Sequence, residues 1–393
     1  MMKRAVVLGA RFGGLAVVAW LRRLYSPGHL EITVIEQWQR MIYRPGLVDV
    51  FQSDPLSLMP RLTIPLAPYF KRRRVQLLTD TVVGIDPEKR HVIVASHAPV
   101  PYDVLFVATG MEPAWDAVSG LSRRHGGLCE GYLARRSGRL LHAEPHGRMV
   151  WAVGPLLGVD HWDPPATVGC ECPVLESLFI WDRYLRQKHR RDQVELTVIT
   201  PAARIAEMVG PRAREWVLTE LDRRSIRLIT GARYQQVTDR TVILSDQTVP
   251  YDHSVWIPPY RGPRWAQDTP LVDQSGWIPV SDHLQHPVFP DIYAVGDGVS
   301  RSWPKQGHSA MVEARVAVTH WHAQQEKQKP PPPFRPLMLW VLETGGPFGM
   351  FHASTTFWGG SRDILWRGHW PVWVKHAFGW AYIRRHGDLP IMP

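Results

Sequence analysis

Two of the three cysteines in this 393-residue chain stand one residue apart, in the stretch "VGCECPVLES" that carries Cys170 and Cys172. A pair so spaced suits three kinds of chemistry: half of a metal site, a dithiol that exchanges electrons beside a cofactor, or two small apolar groups in a core. A structural metal centre takes four ligands, and no second close Cys or His pair accompanies these two, so no metal is expected. The redox and core readings stay open until the surrounding elements say what the pair faces.

The first such element is at the start of the chain. "RAVVLGARFGGLAVVAWLRRLY" reads as a short apolar strand, a glycine turn and a helix, and "LEITVIEQ" follows as a second strand ending at Glu36. This is the opening of a βαβ dinucleotide-binding unit. Gly9 makes the tight turn, Gly13 and Gly14 allow close packing, and the helix N-terminus faces a pyrophosphate. Glu36 is placed to accept hydrogen bonds from a ribose. Arg11 occupies the position of the middle glycine, so its side chain must turn away from the phosphates or reach round to pair with them.

Two later stretches extend the pattern. "VPYDVLFVATG" is a strand entering a turn at Ala108, Thr109 and Gly110, and "DIYAVGD" is another that ends at Gly296 and Asp297. In this order, behind the βαβ unit, they resemble the FAD-dependent pyridine nucleotide-disulfide oxidoreductases over about residues 4–322. The resemblance implies an α/β fold of two interleaved Rossmann-like domains, with FAD as cofactor and Asp297 on its ribityl chain. It divides the chain into residues 1–112 and 251–326 as the FAD domain, 113–250 as the second domain bearing the cysteines, and 327–393 as a connector and C-terminal region.

The second domain should carry its own glycine loop if the protein uses NAD(P)H. Its strand, "RMVWAVGP", runs instead into "LLGVDHWDPPATVGCECPVLES", where Pro155 and Pro164-Pro165 interrupt the turn. A proline there lacks the N–H that a pyrophosphate would take. The later strand "VELTVITP" ends without an acidic residue for a ribose. The nicotinamide site reads as lost.

What replaces it has the C-x-x-P-x-x-E spacing of Cys170, Pro173 and Glu176, which resembles the sulfide:quinone oxidoreductases and flavocytochrome sulfide dehydrogenases. "GGLCEGYLA" with Cys129, "IPPYRGP" and "WPKQGHSAMVE" with Lys305 resemble further segments of that branch. The resemblance implies FAD-dependent oxidation of sulfide or a persulfide, with electrons passed to a quinone. Cys170 would be the sulfur-accepting thiolate, its pKa lowered by a positive field, and Glu176 a proton acceptor. Lys305 would lie beside the flavin. The branch keeps a third cysteine beyond the Pro-Lys motif, whereas here none lies beyond Cys172, and Leu133 stands where a histidine is common. Cys172, through a strained C-x-C disulfide, or Cys129 would then have to serve as partner. Two other readings remain: a non-pumping NADH:quinone oxidoreductase, and a flavin-holding electron relay without sulfur chemistry.

Lysine and arginine number 46 against 36 aspartates and glutamates, a basic balance that favours an anionic cofactor, substrate or membrane surface. The basic residues are scattered and no nucleic-acid motif appears, so nucleic acid is not expected. No signal segment is read at the N-terminus and no run of eighteen apolar residues occurs. After "KQKPPPPFRP", read as a stiff connector, come six of the 18 tryptophans. "PVWVKHAFGWAYIRRHG" can form an amphipathic helix with Trp373, Ala377 and Trp380 on one side and Lys375, Arg384 and Arg385 as its cations. The expectation is a peripheral protein on the cytoplasmic side of the cell membrane, with a membrane-apposed C-terminal region and room for a homo-oligomer.

Overall fold

A computed structural model describes residues 2–387. Two parallel sheets form its frame. In the first, the order is Ile292–Ala294, Val104–Val107, Lys3–Leu8, Leu30–Glu36 and Gln76–Thr79, all parallel. These strands are near-continuous runs of Val, Ile, Leu and Ala because both faces are covered. One face is covered by the Phe12–Leu24 helix, which packs on the long Gly307–Gln325 helix. The antiparallel strands Val82–Asp86, His91–Val94 and Val100–Pro101 lead from the last sheet edge back to its centre.

The second sheet runs Ile226–Ile229, Val194–Ile199, Gly147–Val153 and His253–Ile257, again all parallel. The strand at 253–257 therefore belongs to the second domain, and the division read from the sequence at residue 250 lies one strand too early. The "SVWI" segment reads like any buried strand, and only its pairing with Gly147–Val153 assigns it. The helix Cys172–Gln187 packs on this sheet with Trp151 Nε1 donating to Ser177 Oγ at 3.1 Å.

The tail is a third layer and not a free appendage. Strands Met338–Glu343, Gly349–Ser354 and Asp363–Gly368 form an antiparallel sheet, and the Trp370–Arg384 helix lies against it. The proline connector is docked as well: Phe334 is buried against Trp303 at 4.6 Å between centroids, and Phe334 N–H donates to Asp282 O at 2.8 Å. Among the described residues no helix is long and apolar enough to cross a membrane.

Candidate functional site

The carboxyl ends of the first sheet converge on one crevice, which is where open α/β sheets bind ligands. Gly9 (φ +93°) makes the first turn, and a Cβ there would meet Ala108 O at 2.6 Å. A Cβ on Gly14 would fall 1.9 Å from Gly9 O, so helix and strand approach only because that atom is missing. Gly13 packs on Val295, and Gly110 and Gly296 both have positive φ beside Asp297. The Glu36 carboxylate accepts from Ala10 N–H at 2.9 Å and Trp38 N–H at 3.1 Å, which fixes it at the strand end with lone pairs to spare. Thr109 Oγ1 accepts from Trp265 Nε1 at 3.2 Å.

The charges in this crevice are open. The side chains of Arg11 and Arg44 have no hydrogen bond or ion pair among the described residues, and neither does the Asp297 carboxylate. Arg11 is drawn down to about 10, first by the neighbouring Arg44 and then by burial. Two unpaired guanidinium groups beside a helix N-terminus suit a pyrophosphate, and an open carboxylate suits ribityl hydroxyls. The residues thus fit FAD, with Arg44 as a contact that the sequence reading had not singled out. Its only signal was a lone arginine in "YRPG".

Lys305 is buried on the far side of Asp297. Its Nζ donates to Val299 O at 2.8 Å and lies over the rings of Trp162 (4.8 Å) and Trp277 (5.4 Å). Burial brings it down to about 8, with Asp297 and Glu313 opposing that fall. Glu313 accepts from Gly296 N–H at 2.5 Å and so holds the turn that presents Asp297. Trp162, Trp277 and Glu313 were missed in the sequence because nothing local ties them to a lysine.

All three cysteines are free thiols, each partly exposed. Cys170 sits just before the Cys172–Gln187 helix, where Cys172 N–H points at its sulfur. Cys129 and Asp297 are near enough to act on it electrostatically, and Tyr260 lies beside Cys129. The fold thus gathers Cys129, Cys170, Asp297 and Tyr260, from sequence positions far apart, around one crevice. Burial pushes Cys170 up to about 12, outweighing the helix N–H, a direction opposite to the expected lowering. Cys129 and Cys172 are raised by burial too. Among the described residues no cluster of His, Cys, Asp or Glu is arranged for a metal ion.

Comparison with known proteins accords with this geometry. Residues 168–314 match the family model "Pyridine nucleotide-disulphide oxidoreductase". The chain is 23% identical over 404 residues to the sulfide-quinone reductase of Aquifex aeolicus (strain VF5), covering 96% of this chain and 90% of that one. A mitochondrial sulfide:quinone oxidoreductase of Dictyostelium discoideum is 24% identical over 80% of this chain and 69% of its own length. The solved sulfide:quinone oxidoreductase of Aquifex aeolicus superposes with a TM-score of 0.86 at 20% identity, covering 100% of this chain and 93% of that one. In sequence and in fold the chain is similar to the sulfide:quinone oxidoreductases.

In this chain the second dinucleotide turn is filled by the protein itself. A Cβ on Gly154 would lie 2.1 Å from Pro259 N, so the Pro258-Pro259 strand end occupies the space above the turn. The amides of Thr167 and Val168 donate to the Glu207 carboxylate at 2.7 and 3.3 Å. Glu171, buried between the two cysteines, accepts from Thr200 Oγ1 at 2.7 Å and Glu207 N–H at 2.9 Å, and burial raises it to about 7. The carboxylates of Glu171 and Glu207 thus stand beside this second turn, a setting unfavourable to a further anion.

Glu176 has a different setting from the one expected. It lies inward on its helix, where its Oε1 accepts from Glu343 N–H at 2.9 Å and is ion-paired with Lys375 of the tail. Lys375 also reaches Glu343 at 3.2 Å, and His376 meets the same carboxylate at 3.2 Å. The charge of Glu176 acts on Cys172, whose thiol it helps to push up. Burial raises Glu176 itself to about 7 against the pull of Lys375. Lys375, expected as a surface cation of an amphipathic helix, is instead an internal counter-ion. Trp373 (69% exposed) and Trp380 (63% exposed) do face outward, with Arg384 and Arg385 also exposed.

Proposed function

We propose that the protein oxidises sulfide through bound FAD and passes the electrons to a quinone. The observation that carries this reading is the meeting of Cys170 and Cys129 with Asp297 in the crevice whose open arginines suit the dinucleotide. FAD would supply a two-electron acceptor beside the cysteine turn. Gly9, Gly14, Arg11, Arg44 and Glu36 would hold its nucleotide end and Asp297 its ribityl chain. Lys305, charged below about pH 8 and fixed over two indoles, would favour negative charge on the ring beside it.

Cys170 is the proposed sulfur acceptor. Because burial keeps the reduced Cys170 a neutral thiol, hydrosulfide from solution would be the nucleophile. It can join sulfur to Cys170 only when Cys170 is disulfide-bonded to a partner cysteine, whose thiolate leaves as the persulfide forms; bound FAD would supply the two-electron oxidation that re-forms the disulfide. Cys129 is the better-placed partner thiol, since it lies near enough to Cys170 and Asp297 to interact with both. Cys172 points its influence toward Glu176 and the tail. Quinone would arrive from a bilayer against which Trp366, Trp370, Trp373 and Trp380 are exposed, so the protein would act as a peripheral membrane enzyme.

The test is anaerobic. FAD-loaded protein is mixed with sulfide and, separately, with NADH, and the flavin absorbance is followed. Bleaching by sulfide alone is expected, and Cys170→Ser should keep FAD while losing that bleaching. Bleaching by NADH but not sulfide would overturn the reading.

A further inference from the structure

Cys170 also lines a small pocket with Val168, Gly169, Glu171, Met208, Met338 and Trp340, with room for a single water-sized molecule. Three parts of the fold build it. Val168 comes from the cysteine turn, and Met208 from the loop that Glu171 ties down through Glu207 N–H. Met338 and Trp340 come from the first strand of the tail, where Met338 Sδ accepts from Gln306 Nε2 at 3.2 Å, next to Lys305. Trp340 is almost wholly buried, and its indole N–H has no hydrogen-bond partner among the described residues. A buried donor left unpaired costs about 1–3 kcal/mol, so it marks a place where a partner is expected.

We propose that this pocket is the sulfur-substrate chamber and that Trp340 is its specificity-determining wall. The chamber admits a species of one heavy atom, hydrogen sulfide or hydrosulfide, and shuts out thiols that carry a carbon chain. The lining is thioether, indole and aliphatic, with no charged side chain presented to it apart from the tied carboxylate of Glu171. Such walls suit a small, weakly hydrated sulfur species, and in this proposal the unpaired indole N–H of Trp340 donates to it. The proposal rests on the sulfide reading above and adds to it a size filter and a residue that imposes it.

The test uses FAD-loaded protein with sodium hydrosulfide and 2-mercaptoethanol as alternative donors, in wild type, Trp340→Phe and Trp340→Ala. Trp340→Leu stands beside the alanine variant against loss of folding, and bound FAD and the melting temperature are checked in each. Wild type should be reduced by hydrosulfide and resist the larger thiol. The alanine or leucine variant should gain about 10-fold or more in reduction by 2-mercaptoethanol. Trp340→Phe keeps the wall and loses the donor, so it should still exclude the larger thiol while KM for sulfide rises about 5-fold at unchanged kcat. A wild-type flavin that hydrosulfide fails to reduce would sink the activity reading; the chamber is then judged by alkylation of Cys170 with N-ethylmaleimide, read by mass spectrometry. That rate should rise about 10-fold when Trp340 is truncated. Equal alkylation in wild type and truncated variants, or equal discrimination between the two donors, would overturn the proposal.

Discussion

Lys375 of the C-terminal helix is ion-paired with Glu176 of the helix that starts at Cys172; the Glu176 side chain is buried and that of Lys375 largely so. One lysine there serves both carboxylates, Glu176 and Glu343, and His376 adds a second partner to Glu343. The tail is therefore fastened to the second domain by charge in a desolvated setting, where a lone carboxylate is far less tolerable than at the surface.

Replacing Lys375 with Met should strip two buried carboxylates of their cation. Removing one partner of a buried pair typically costs about 3–5 kcal/mol, so the unfolding midpoint in urea should drop markedly. Lys375→Arg should recover part of the loss. An unchanged midpoint in the methionine variant would mean that Glu176 and Glu343 take up protons at no cost.

A second prediction concerns pH. Glu171 is raised from its ordinary 4.5 to about 7 by burial. Between those values the folded chain holds a proton that the unfolded chain has released, so stability must fall as pH climbs through the window. Unfolding midpoints measured at intervals from about pH 5 to 8 should decline. Glu171→Gln, which keeps the acceptor for Thr200 and cannot ionise, should flatten that decline. A variant as steep as wild type would remove Glu171 from the account.

The cofactor crevice gives a third. Arg44→Ala should weaken FAD binding about 10-fold or more, the worth of one charge-assisted contact. Arg11→Gly should have a smaller effect, because glycine restores close backbone approach while losing one charge. The FAD-to-protein ratio after dialysis at rising salt reads both. Full FAD retention in Arg44→Ala would place the pyrophosphate elsewhere.

The exposed indoles give a fourth. Trp373→Ser with Trp380→Ser should lower sedimentation with anionic lipid vesicles by about 10-fold, since each ring removes apolar surface from the interface. Flavin reduction by sulfide, which needs no lipid, should be unaffected. Undiminished vesicle binding would move the membrane contact off this helix.

How much of this was legible in the chain depends on how local each relation is. The Gly9–Gly14 turn and Glu36 lie within one βαβ unit, and their spacing alone carries their roles. The apposition of Cys170 with Trp340 joins residues from different layers, and no pattern within either segment announces it. Lys375 illustrates a different limit. A helix of Trp, Val, Lys and His reads as amphipathic, but the sequence cannot say which flank meets the protein, and the flank with the lysine is the one that Glu176 and Glu343 claim. Glu171 looks like a solvated residue between two thiols, and its burial follows only from the return of the 202–209 loop over it. The strand at 253–257 was assigned to the wrong domain because parallel buried strands look alike.

The docking of the tail has a consequence for how the protein comes to be made. The strands that shape the cofactor crevice are complete by Ala294, and the helix with Glu313 follows directly. Met338, Trp340 and Lys375, which close the cysteine pocket and cover Glu176, emerge from the ribosome last. A chain halted near residue 330 would contain every residue of the cradle for the dinucleotide and would leave Cys170 without its Met338 and Trp340 wall. Synthesis thus runs from cradle to wall, and the pocket beside Cys170 takes shape only after the tail strands have been made.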